Sequence, residues 1–125
     1  MDITMKLANA LAINDVLKQI IDNDQIEDIS LKFRLLTIAK SFESHAMNFQ
    51  MIRNQKIKVY GQEDENGNIA ISVNDSASMQ RFSDDMNALL DTEVTLQLSK
   101  LKPEDVINKG LSSEQLIGLY EIIEE

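Results

Sequence analysis

Residues 31–60 run for thirty positions without a glycine or a proline. Within that run Leu31, Leu35, Ile38, Phe42, His45, Phe49, Ile52, Lys56 and Val59 recur at alternating steps of four and three, and seven of the nine are apolar. Such a row is one face of a helix, and it has to be covered by the rest of the chain or by a second copy. At 1.5 Å per residue the helix would be about 45 Å long, more than a domain of this size needs internally. That excess length is the first reason to expect self-association.

The flanking segments give a fold class. Ile3, Met5 and Leu7 alternate with Asp2, Thr4 and Lys6, the period of a short strand. Ala8, Leu11, Ile13, Val16, Leu17, Ile20 and Ile21 then form a helical stripe ending near Asn23 and Asp24. The acidic stretch 22–28 reads as a loop, with Ser30 as N-cap of the long helix. Residues 56–60 also alternate, and a strand there would make a hairpin with the next segment. Helix to Tyr60 is preferred, because the seam stays in phase through Val59. Gly61 ends the element, and a polar turn follows with Asn66-Gly67 as its strongest signal. Ile69, Ile71 and Val73 alternate as a strand. Met79, Phe82, Met86 and Leu89 mark a third helix over 76–90, and Val94, Leu96 and Leu98 the clearest strand. Pro103 opens a short helical turn and Gly110 breaks the chain. Ser112 and Gln115 form a capping box before a last helix running to the end. About four helices and three short strands predict an α+β fold, a helical body with a small, mostly antiparallel sheet, in a single domain over residues 1–125.

Charge is distributed unevenly. The net charge is −9, but residues 31–60 hold six basic side chains (Lys32, Arg34, Lys40, Arg53, Lys56, Lys58) against Glu43 alone. That segment is +5 and the remainder −14. The first expectation is that the acidic remainder packs against the basic helix, in the same copy or the next. The sharper alternative is a basic face that meets an acidic partner, nucleic acid included. Direct nucleic-acid binding is disfavoured by the negative field of the whole chain.

Few chemistries remain open. Without cysteine there is no disulfide or thiolate metal site. His45 is the only histidine and has no second His or Cys to complete a site, so it is read as a polar seam residue that sets register. The acid groups Asp22/Asp24/Glu27/Asp28, Glu63/Asp64/Glu65 and Asp84/Asp85 lack calcium-loop spacing and read as solvated surface. Four glycines leave no phosphate loop, and the absence of Trp leaves no stacking platform. No catalytic, cofactor-binding or metal-ligating residue is expected. No apolar run reaches a membrane span, and the N-terminus has no signal-peptide pattern, so the expectation is a soluble intracellular protein.

The order of segments resembles a group of small uncharacterised proteins of tailed bacteriophages. The resemblance rests on Lys32-Phe33-Arg34-Leu35-Leu36, Phe49 and Arg53 on the long helix, which closes at Tyr60-Gly61. It continues through Asp64-Glu65-Asn66-Gly67-Asn68, Phe82, Asn87-Ala88-Leu89-Leu90 and Thr92-Glu93-Val94. It ends with Glu104-Asp105 and Leu111-Ser112-Ser113-Glu114-Gln115-Leu116. It implies a viral, non-enzymatic protein of the host cytoplasm or the virion, involved in virion assembly or part of the particle, with itself or another phage protein as partner. The expected interface comprises Leu35, Phe42, His45, Phe49 and Ile52, with Met47 and Met51 beside the seam. The alternative is an acidic host-directed inhibitor that occupies the nucleic-acid groove of a host enzyme.

Overall fold

Alternation at the N-terminus and before Leu98 produces two strands that find each other. In the computed structural model, which describes residues 2–72 and 74–124, β1 (Asp2–Lys6) pairs antiparallel with β4 (Glu93–Gln97). Asp2 stands opposite Gln97, Thr4 opposite Thr95 and Lys6 opposite Glu93. Met5 and Leu96 are buried on the inner face and Ile3 and Val94 half-buried, whereas Asp2, Thr4, Lys6, Glu93, Thr95 and Gln97 are exposed. One face is dry and one wet, as strict alternation requires. The Thr4 and Thr95 hydroxyls share a hydrogen bond of 3.3 Å on the wet face.

The remaining elements are α1 (Leu7–Asp22), α2 (Ile29–Tyr60), β2 (Gln62–Glu63), β3 (Ile69–Ala70), α3 (Ser76–Leu90), α4 (Pro103–Val106) and α5 (Ser113–Gly118), followed by a 3-10 turn at Tyr120–Ile122. The fold is α+β, with one long helix and two small antiparallel two-stranded sheets. The chain divides into two compact units, Met1–Ala46 with Glu93–Glu125, and Met47–Thr92.

The first unit holds the main core. Leu17 and Ile20 of α1, Leu35 and Phe42 of α2, Leu96 of β4, and Leu101, Leu119 and Ile122 of the C-terminal segment are all essentially inaccessible. Its polar centre is Gln115. The Gln25 and Gln115 side-chain amides are 2.8 Å apart in both donor–acceptor directions, the Ser112 N–H donates to Gln115 Oε1 at 2.9 Å, and the Gln115 N–H donates to Ser112 Oγ at 3.1 Å. The expected capping box is therefore present, and its glutamine also ties the α1–α2 loop to α5. Gly110 makes this closure possible. Its φ is +98°, and a side chain there would run into the Gln25 carbonyl oxygen.

In the second unit, Asp75 caps α3 by accepting from the Ser78 N–H at 3.0 Å and the Ser78 hydroxyl at 2.8 Å. Asp64 closes the β2–β3 turn by accepting from the N–H groups of Asn66 and Asn68, both at 2.9 Å. Gly67 takes the left-handed conformation (φ +84°) that the Asn-Gly pair suggested.

Four details differ from the sequence reading. Leu7 opens α1 rather than closing β1. Asp28, not Ser30, caps α2: its Oδ1 accepts from the Leu31 N–H at 3.1 Å, and its other oxygen faces Lys109 Nζ at 3.4 Å. The strand expected over 69–73 is Ile69–Ala70 as described, and Val73 lies outside the described residues. The last helix does not run to the end. It stops at Gly118 because the backbone beyond it bonds to Leu101: the Leu101 N–H donates to the Ile122 carbonyl and the Glu124 N–H to the Leu101 carbonyl, both at 2.8 Å.

Candidate contact surface on the long helix

The α2 seam is covered in its first half by the chain itself. Leu31, Leu35, Ile38 and Phe42 are buried, Leu35 and Phe42 at 1% exposure. Two of the expected interface residues are thus spent on the core of the first unit. His45, Phe49 and Ile52 are half-buried, and Val59 is exposed. Met47 and Met51 are exposed as well, at 63% and 61%.

The two methionines lie off the seam. Phe33 precedes Leu35 by two residues and so lies about 200° round the helix from it. Phe33 is 70% exposed and Ile29 81% exposed, with Leu36 beside them also exposed. In the first unit Ile29, Phe33, Leu36 and Lys40 recur at steps of four, three and four, opposite the buried seam, and in the second unit Met47 and Met51 are four residues apart and off the seam. α2 therefore carries exposed apolar residues off its seam. The sequence reading found the seam and the two methionines. Ile29, Phe33 and Leu36 were missed, although the same four-and-three spacing marks them.

Electrostatics of the basic helix are partly settled within the chain. Arg34 Nη1 lies 3.0 Å from Asp105 Oδ2, and Lys32 pairs with Asp24. In the second unit Lys56 Nζ lies 3.4 Å from Asp85 Oδ2, and the Tyr60 hydroxyl donates to the same carboxylate at 2.7 Å. That hydrogen bond pushes the Tyr60 phenol above its usual range and holds the Asp85 carboxyl below its own. The acidic remainder thus meets the basic helix at several points in the same copy, as the first charge expectation had it.

Among the described residues no three His, Cys, Asp or Glu side chains are grouped as a metal ion would need, and no helix is long and apolar enough to cross a membrane. Compared with family models, curated proteins and solved structures, the chain matches none.

Proposed function

We propose that this chain is a non-enzymatic phage accessory or virion-associated protein that works by protein–protein contact, with a second copy of itself held along the outer face of α2. The observation that carries the contact reading is the set of exposed apolar residues off the seam of α2, Ile29, Phe33 and Leu36 in the first unit and Met47 and Met51 in the second. Scattered surface apolar residues need no explanation, but a row in helical register on one face does. The phage setting, in host cytoplasm or virion, rests on the order-of-segments resemblance.

A second copy is the favoured occupant because two positions near the middle of α2 are complementary to two others. An antiparallel pairing of two α2 helices centred between Ser41 and Phe42 sets Leu36 against Met47 and Lys40 against Glu43, twice over. Met47 and Met51 supply adaptable contact area.

The test is absolute mass by light scattering on a sizing column over a wide concentration range. Wild type is expected to self-associate, and Leu36→Glu or Met47→Glu to lower the association constant at least about tenfold, since each puts a carboxylate where two apolar side chains would meet. A wild-type chain that stays monomeric at high concentration would overturn the reading. So would association indifferent to both substitutions.

A further inference from the structure

β1 offers a second surface with a definite partner. Among the described residues β4 is the only strand paired with it. In an antiparallel ladder alternate residues turn their N–H and C=O groups outward, so the outer edge of β1 is a hydrogen-bonding template. Its sequence, Asp2-Ile3-Thr4-Met5-Lys6, is complementary to itself when reversed.

We infer that β1 pairs antiparallel with β1 of a second copy across a two-fold axis at Thr4, joining two sheets into one of four strands. The residue pattern of the strand selects this arrangement. Faces must match, so only registers centred on a residue are allowed. Of those, centring on Thr4 engages all five residues and alone sets Asp2 of each copy against Lys6 of the other. The dry face then gains as well, because half-buried Ile3 meets Met5 of the second copy. On the wet face a row Thr95–Thr4–Thr4–Thr95 crosses the joined sheet, continuing the Thr4–Thr95 contact seen within one copy. A parallel pairing would instead align like charges.

The other edge of the sheet is the weaker candidate. β4 paired with itself would oppose Glu93 to Gln97 and gain no ion pair. The Ser41 hydroxyl already reaches the Gln97 carbonyl at 3.5 Å. The β1 contact is independent of the α2 face, and two different two-fold contacts on one chain build assemblies larger than a dimer.

Cysteine cross-linking tests this directly, since the chain has none of its own. Directly opposite residues in an antiparallel pair have Cβ atoms about 4.5–5.5 Å apart, close to disulfide geometry. Under mild copper–phenanthroline oxidation, full-length Thr4→Cys is expected to form a covalent dimer rapidly and Thr95→Cys to form little. Leu36→Glu, which removes only the α2 contact, should leave the Thr4→Cys cross-link in place. The charge arm uses Asp2→Lys and Lys6→Asp. Each alone should weaken β1-mediated association about tenfold, and an equimolar mixture should recover it as a heterodimer, because every pair is then opposite in sign. Far-UV circular dichroism checks that each variant is folded. A folded Thr4→Cys chain that cross-links no faster than Thr95→Cys would overturn the inference, as would a charge-reversed mixture that associates no better than its components.

Discussion

Two phenylalanines on one helix turn the assignment of its faces into a measurement. Phe42 is 1% exposed within the first unit's core, and Phe33 is 70% exposed on the opposite side of α2. Phe42→Ala removes a fully buried ring and leaves a cavity beside Leu35 and Ile38, a change that costs about 3–5 kcal/mol. Phe33→Ala removes a ring already in water and should change monomer stability by less than about 0.5 kcal/mol. With a urea slope of about 2 kcal/mol/M, the first substitution lowers the unfolding midpoint by about 2 M and the second by a few tenths at most. The total to be lost from is about 5–15 kcal/mol, so Phe42→Ala stays measurable at low temperature. The assay is urea unfolding by far-UV circular dichroism at two protein concentrations. Association with a second copy adds stability that grows with concentration. Phe42→Ala should therefore lower both midpoints together, and Phe33→Ala should mainly erase the difference between them. Equal midpoint losses for the two variants, or a Phe42→Ala loss below about 1 kcal/mol, would refute the assignment of a buried and an open face to α2.

Two further outcomes follow from the polar contacts. Gln115→Ala strips the α5 capping box and leaves the Gln25 amide short of its partner. A loss of about 1–3 kcal/mol is expected in thermal or urea unfolding. The pH dependence has two flanks. Asp28, Asp75 and Asp85 are held low by the Leu31 N–H, the Ser78 N–H and the Tyr60 hydroxyl respectively. Their stabilisation is complete above the ordinary carboxyl value of about 4 and is lost as pH falls through their lowered folded values. Tyr60 is held high by Asp85, so its contribution is complete below about pH 10 and is lost as pH rises through the folded value. Urea midpoints from acid to alkaline pH should show both flanks, and Tyr60→Phe should flatten the alkaline one.

What the sequence made legible was what short-range periodicity controls. β1 and β4 alternate cleanly, and their buried positions followed from that. The extent of α2 to Tyr60 followed from a seam that stays in phase. The misses are non-local. Asp28 and Ser30 are both good capping residues two positions apart. The choice fell to Asp28, whose carboxylate also faces Lys109 from the far end of the chain. The C-terminal segment reads as helix by its own residues, and it leaves the helix because Leu101 offers it backbone partners.

The long helix shows why a correct periodicity does not by itself say which residues stay open. A search for one apolar face stops at the first row that satisfies it, and here that row is the one the chain buries for itself. Leu35 and Phe42 were candidates for contact because they are strongly apolar and in phase, which are also the properties that draw a residue into its own core. The open row is marked by something else, namely apolar side chains at the positions where α2 should be most polar. Phe33 and Leu36 flank Arg34 and Leu35, so a reading of residues 33–36 by composition merges two faces that helical geometry separates by about 200°. In a helix of this length the residues left over after the core has been filled are the informative ones. Here they are Val59 at the end of the seam and, off the seam, Ile29, Phe33, Leu36, Met47 and Met51.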